Sequence, residues 1–276
     1  LESGGLQGAS ESVGMPELLA VFAERTRAFV KIEDGCNQMC TYCKIPFYRG
    51  RAHSRCSSRI LEEIQGLSNK GFHEVVLCGI QLGAFGLDTG ESLPELLEKV
   101  NDIPGIHRFR LSSIEPDDVT PELIDTVVSL PKCAPHMHIP LQSGDDGILK
   151  KMRRRYTMED FHRLIGSFRD RNPHFAISTD ILIGFPGEDE PAFQNSLRAI
   201  EDVQFCRLHF FRYSPRPGTA AVRLPGRIKP EVMDRRRKDI AVVGDKVVDQ
   251  VRARQIGRTL HVLLEEPGSA PGSMVG

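Results

Sequence analysis

An α/β fold built from parallel βα units is what this sequence predicts, and three observations carry the prediction. Short β-branched or aromatic runs alternate with longer amphipathic stretches along the chain. The apolar runs number six, and each is followed by a polar or glycine-rich cluster. The chain has 276 residues, 40% of them hydrophobic, which is ample for one large core.

The strand runs are 28–32, 74–78, 108–111, 136–139, 176–183 and 207–211. Helical patterns fall at 57–70, 93–101, 121–129, 145–171 with a break, and 191–203. Their starts fit: Ser57 and Ser58 precede "RILEEI", and Pro94, Pro121 and Pro191 stand in first turns. A last long helix, 230–255, carries Arg235, Arg236, Arg237 and Lys238, assigned to a polar face. The loops "DGCNQMCTYC", "GIQLGAFG", "SSIEPDD", "PLQSGDD", "GFPGEDE" and "YSPRPGT" follow the six strands in turn. In a parallel barrel or open sheet all of them leave at the carboxyl ends of the strands, so they converge on one site.

Composition excludes little else. Thirty-six basic residues against 37 acidic ones give a formal net charge of -1, so contact with a polyanion must come from local patches. No apolar run approaches a membrane span and no secretory signal opens the chain, which reads as cytoplasmic. Residues 1–24, rich in Gly and Ser, read as a linker from a preceding domain, 25–256 as the barrel with its closing helix, and 257–276 as the start of a further β domain whose first strand is 259–265.

Seven cysteines in a chain without a signal argue against a disulfide framework. Cys56, Cys78, Cys133 and Cys206 are widely spaced and read as ordinary buried thiols. Cys36, Cys40 and Cys43 are different, being four and three residues apart on the first loop. A structural zinc wants four ligands, so the triad would have to enlist another residue such as His53. An iron-sulfur cube held by three thiolates instead leaves one iron open to the nitrogen and oxygen atoms of a small molecule.

The motif CxxxCxxC with Tyr42 before its last cysteine resembles the signature of radical S-adenosylmethionine (SAM) enzymes. "CTYCKIPFYRGRAHSR", "ISTDILIGFPGE", "YSPRPGTAA" and "HIPLQSGDDGILKKMRRRYT" are similar to the methylthiotransferases within that family. "LCGIQLGAFG", "RFRLSSIEPDDVT" and "HIPLQSGDD" resemble the branch acting on N6-threonylcarbamoyladenosine in tRNA rather than those acting on isopentenyladenosine or a ribosomal protein. Two departures are Cys56, where these enzymes usually have proline, and Cys78, where threonine is common; both read as packing variants.

The resemblance implies a partial (β/α)6 TIM-like barrel. It implies a 4Fe-4S cluster on Cys36, Cys40 and Cys43 whose open iron chelates SAM and yields a 5′-deoxyadenosyl radical, with flavodoxin or ferredoxin as reductant. The radical would act at C2 of the modified adenine beside the anticodon. A second 4Fe-4S cluster is implied only for an N-terminal domain, and a small tRNA-binding (TRAM-like) β domain at the other end. A chain lacking both is expected to cleave SAM without completing methylthiolation.

The bound SAM needs polar partners, for which Glu115 (ribose), Gln142 and Ser143 (ribose or methionine), and Arg154 (carboxylate, with Arg153 and Arg155 as rivals) are candidates. Tyr42 is assigned to packing near the cluster and adenine, Gln81 and the backbone of Gly79 to the methionine end, and Gly184 and Gly187 to a turn over the adenine. Asp180 on the fifth strand, if it faces inward, needs an arginine or the substrate as partner. His136 and His138 share a strand face and are satisfied histidines or metal ligands. Arg49, Arg51, Arg212 and Arg216, with Arg55 and Arg59, are candidates for phosphates of an anticodon stem-loop, against a plain alternative of solvated charges. A non-catalytic zinc or RNA-binding module is the rival reading of the triad.

Overall fold

The structure, a computed structural model, describes residues 26–270 and 272–275; the linker assigned to 1–24 lies outside them. Six parallel strands form the body: β1 (Arg27–Lys31), β4 (Glu74–Cys78), β5 (Arg108–Leu111), β6 (His136–His138), β7 (Ala176–Ile183) and β8 (Arg207–Arg212). They pair as β1-β4-β5 and β6-β7-β8. Between the two groups run the isolated parallel bridges Phe109 to Cys133 and Ser113 to His138. The result is an open arc of six strands, the partial barrel the sequence implies.

Helices α2 (Ser57–Asn69), α3 (Leu93–Asn101), α4 (Pro121–Ser129), α5 (Asp146–Met152), α6 (Met158–Arg171) and α7 (Glu190–Val203) cover the outer face. Side chains alternate along each strand. Thus Ala28 and Val30 are buried outward among Ile60, Ile64 and Leu97, while Phe29 and Lys31 are left exposed on the other face. Thr120 and Thr157 cap α4 and α6 by accepting Leu123 N and Asp160 N, the latter in a capping box.

Three features depart from the sequence reading. A two-residue antiparallel hairpin, β2 (Glu33–Asp34) with β3 (His53–Ser54), closes the base of the first loop, and a short helix α1 (Ile45–Arg49) lies within that loop. The run 259–265 forms no ladder, because it crosses the amino-terminal ends of the strands instead of running beside an edge. His261 O accepts Arg108 Nη1 at 2.9 Å, and Glu265 pairs with Arg27 at 2.6 Å. Only a small hairpin follows, β9 (Glu266–Pro267) with β10 (Met274–Val275).

The third departure is in α8 (Pro230–Ala253), where Arg236 points inward. At about 100° per residue, four successive residues cannot share one face. Arg236 is buried against Glu188, its Nη1 donating to Oε2 at 2.8 Å and to the Glu188 carbonyl at 2.9 Å. The same carboxylate accepts Gly184 N at 2.7 Å, and the guanidinium lies 5.0 Å over the Phe193 ring. This buried pair fastens the closing helix to the loop after β7. Arg236→Ala leaves Glu188 uncompensated and is expected to cost about 3–5 kcal/mol, read as a fall in the urea midpoint at unchanged m-value.

Candidate functional site

The first loop is shaped at Gly35, whose φ of +88° is open to glycine and where an added Cβ would lie 2.1 Å from the Arg51 carbonyl. From there Cys36 N donates to Gly50 O at 3.1 Å. Further on, Thr41 N reaches Met152 O at 3.1 Å, Thr41 Oγ1 reaches Lys151 O at 2.9 Å, and Ala221 N returns to Thr41 O at 2.8 Å. The cysteine loop is thereby held by the loops after β6 and β8 as well as by its own strand.

The sulfurs sit in a donor-rich setting. Gln38 N donates to Cys36 Sγ at 3.3 Å, Ile45 N to Cys43 Sγ at 3.4 Å, and Arg154 Nη1 to Cys40 Sγ at 3.5 Å. Burial pushes the Cys36 thiol up to about 11 and raises Cys40 too, against the pull of Arg154. A metal group held by these sulfurs would have to displace their protons. Among the described residues the only His, Cys, Asp or Glu triad whose ligand atoms converge within 4.8 Å is His138, Asp180 and His209. The cysteine sulfurs are spread wider than that, whereas one tetrahedral zinc with 2.3 Å bonds needs them about 3.8 Å apart. A multi-iron cluster that leaves one iron open fits this three-thiolate donor set.

Arg154 is selected from its neighbours by the end of α5. Arg153 takes a left-handed φ of +62°, and the amides of Arg153 and Arg154 return to the carbonyls of Lys150 and Leu149. The turn sends Arg154 into the site, where Nη1 lies 2.7 Å from Glu115 Oε2 and the guanidinium lies 5.7 Å from the centre of the Tyr156 ring. Burial raises the Glu115 carboxyl and the guanidinium opposes that push. Two residues assigned to different ends of a ligand are thus partners of each other, and the buried Arg154 Nε has no acceptor.

Several other candidates have partners within the protein. Gln81 pins the loop: it accepts Asn37 N at 2.7 Å and donates to Asp118 at 3.0 Å, so both ends of its amide are used. Gly79 packs against Glu33, where a Cβ would meet Oε2 at 2.6 Å. Ser143 is fully buried and its hydroxyl accepts Asp145 N at 3.3 Å. Asp180 makes no ion pair with an arginine among the described residues; its Oδ1 lies 3.3 Å from both His138 Nε2 and His209 Nδ1. Cys133 is buried and Cys78 and Cys206 half-buried, but Cys56 is exposed at the head of α2, its thiol 3.2 Å from the Ser58 hydroxyl.

Tyr42 packs edge-on against Phe185 at 6.2 Å, and Phe185 likewise against Tyr213 at 5.5 Å. Gln142 holds φ +66° with its backbone bridging Asp180 and Leu182. Gly184 and Gly187 take φ +78° and +83°, a conformation that suits glycine in the loop after β7. Exposed Arg49 pairs with half-buried Asp34 at 3.5 Å, and Arg212 with Asp234 at 2.7 Å where both are exposed, while Arg51 and Arg216 carry no ion pair among the described residues. The sequence reading missed Glu33, buried and accepting Ile80 N and Gln81 N at 2.8 and 2.9 Å, and His209, whose partners lie on other strands.

A cleft of about 630 Å³ opens beside the loop, lined by Cys36, Asn37, Met39 and Arg51. A second cavity, about 1040 Å³, lies at the opposite end of the strands beneath the 259–263 segment, and Cys36, Cys40 and Cys43 are not among its lining residues. The chemistry belongs with the carboxyl ends.

The Radical SAM superfamily model matches residues 30–200, so this chain belongs to that superfamily. Among its relatives it is 44% identical over 246 residues to the threonylcarbamoyladenosine tRNA methylthiotransferase MtaB of Thermotoga maritima, covering 88% of this chain and 56% of that one. It is 42% identical to the MtaB of Chlamydia pneumoniae, covering 89% and 58%, and 37% identical to the tRNA-2-methylthio-N(6)-dimethylallyladenosine synthase of Nitratidesulfovibrio vulgaris, covering 88% and 55%. The chain therefore spans a little over half the length of these curated relatives. The fold is shared with coproporphyrinogen III oxidase HemN of Escherichia coli (TM-score 0.60, 14% identity, 85% of this chain and 56% of that one). It is shared also with the radical SAM methyltransferase TsrM of Kitasatospora setae (TM-score 0.58, 20% identity, 70% and 38%).

A thiol held near 11 reacts slowly at neutral pH. In metal-free protein, alkylation of Cys36 followed by peptide mass spectrometry should quicken about tenfold per pH unit from 7 to 10; a rate that levels off above about pH 9 would show the thiol unperturbed.

Proposed function

We propose that this chain carries the radical-generating barrel of a tRNA methylthiotransferase acting at C2 of N6-threonylcarbamoyladenosine beside the anticodon. The observation that carries the reading is the cysteine loop itself, with three sulfurs, amide donors to two of them and a guanidinium at the third, at the loop end of a radical SAM barrel. The substrate is supported by the relatives at 44% and 42% identity, both named for threonylcarbamoyladenosine.

Cys36, Cys40 and Cys43 would hold the 4Fe-4S cluster. With SAM bound, that cluster supplies a 5′-deoxyadenosyl radical able to take a hydrogen atom from an unactivated carbon. The chain's own part is positioning and charge. Amides of Gln38 and Ile45 donate to sulfur and offset the charge that thiolates carry. Arg154 does the same at Cys40 while fixing Glu115, and Gln142 stands on the adjoining loop. These three and Tyr42 are the polar and aromatic partners left for SAM once Gln81, Ser143 and Asp180 are accounted for elsewhere.

Arg51 and Arg216 suit the phosphates of an anticodon stem-loop, Arg212 can exchange its exposed Asp234 carboxylate for phosphate at little cost, and Arg49 is itself exposed and holds Asp34 only at 3.5 Å. We place the tRNA on this loop face, with a flavodoxin or ferredoxin as reductant. The domain plan of linker, barrel and following β domain is part of the same proposal. No helix among the described residues is long and apolar enough to cross a membrane.

Anaerobic reconstitution should give about four irons per chain and, with SAM and dithionite, 5′-deoxyadenosine; Cys40→Ala should abolish both. The substrate is tested separately, with anticodon stem-loops deuterated at C2 of the target base. Deuterium should appear in 5′-deoxyadenosine from the threonylcarbamoyladenosine stem-loop. Transfer from an isopentenyladenosine stem-loop alone would assign the chain to the other branch, and absence of iron would end the radical reading.

A further inference from the structure

We propose that His138, Asp180 and His209 form a binding site for a first-row divalent transition-metal ion, zinc(II) or iron(II), inside the barrel and distinct from the cysteine loop. The three residues come from three adjacent strands. His138 ends β6 beside Ser178, and Asp180 is paired in register with His209. Ser178 and Asp180 share one face of β7, and the intervening Ile177, Thr179 and Ile181 are buried against the helices, so the cluster faces the lumen.

The geometry is that of a ligand set. Both imidazole nitrogens approach the same oxygen, Asp180 Oδ1, at 3.3 Å, and all three ligand atoms lie within 4.8 Å of one another. A charge-assisted hydrogen bond closes to about 2.7–2.9 Å. The edge between two ligands on a tetrahedral ion with 2.0–2.1 Å bonds is about 3.3–3.4 Å. The observed spacing matches the second. Two imidazoles and one carboxylate are also the donor set that zinc(II) and non-haem iron(II) take in sites that keep positions open.

A supporting shell is present. His138 Nδ1 lies 2.9 Å from Ser178 Oγ, and the same hydroxyl lies 2.9 Å from His136 Nε2. A hydroxyl has one proton, so it can accept from His138 and donate to His136. That arrangement leaves the His138 Nε2 lone pair facing Asp180, where two acceptors need a cation between them, and it is the outer hydrogen bond that metal-bound histidines usually make. The side chains of His138, Asp180 and His209 are 15%, 25% and 40% exposed. The open positions of the ion therefore face the lumen, where water or a nitrogen or oxygen atom of an entering ligand can complete the coordination.

The test needs no cluster and no turnover, so its outcome is independent of the proposed reaction. The triple variant Cys36→Ala, Cys40→Ala, Cys43→Ala is stripped with chelator and titrated with cobalt(II). The expected result is one cobalt per chain at micromolar affinity with visible d–d bands, displaced by zinc(II), and a higher melting temperature with zinc(II). Adding His209→Ala or the isosteric Asp180→Asn should weaken binding at least tenfold and remove the thermal shift. His209 is partly exposed, and a circular dichroism spectrum unchanged from the parent confirms folding. Absence of bands, binding only at millimolar cobalt (an adventitious ion only), or binding that survives both substitutions would overturn the proposal.

Discussion

The ion pair between Arg154 and Glu115 is the contact on which the arrangement of the loop face depends. Glu115 follows β5 and Arg154 follows β6, so at 2.7 Å their pairing crosses the seam between the two three-stranded groups. Arg154 is buried and Glu115 half-buried, and the arginine's charge alone would be costly there. Because Arg154 also reaches Cys40 Sγ, the same guanidinium that joins the halves sets the electrostatics of the cysteine loop. Thr41 repeats the crossing with its bonds to Lys151 and Met152.

The strands were legible because they are short apolar runs separated by helices, and each was found to within a residue at either end. Position along a parallel strand then told which loops share a site. What the sequence withheld is pairing between loops. Gln81, Asn37 and Asp118 come from three different segments, and only the folded chain shows that the Gln81 amide is already used. The choice among three successive arginines turned on one left-handed residue, Arg153, a conformation that propensity does not assign to arginine. Two-residue strands such as Glu33–Asp34 fall below any periodic signal.

Charge in this chain is sorted by depth. At the floor of the arc Glu74, nearly fully buried, takes Arg108 at 2.5 Å and Arg110 at 2.7 Å, and it holds Arg27 at 3.9 Å. The histidine and aspartate cluster occupies the middle, and the thiols and Arg154 the top. A lumen so polar is suited to admitting a polar molecule rather than serving as a packed core. The apolar packing lies outside the strands, between sheet and helices, where Phe109, Phe161 and Phe168 are fully buried.

The division of the arc bears on how the protein emerges from the ribosome. Each three-stranded group is contiguous in sequence, β1 to β5 and then β6 to β8, so the first can assemble before the second is translated. The three cysteines belong to the first group, whereas Arg154, Lys151 and Ala221, which enclose them, arrive later. During synthesis the thiols therefore pass through an interval without their shelter, open to oxygen and to stray metal ions, and a cell that keeps its cytosol reducing in that interval preserves the ligands the finished fold protects.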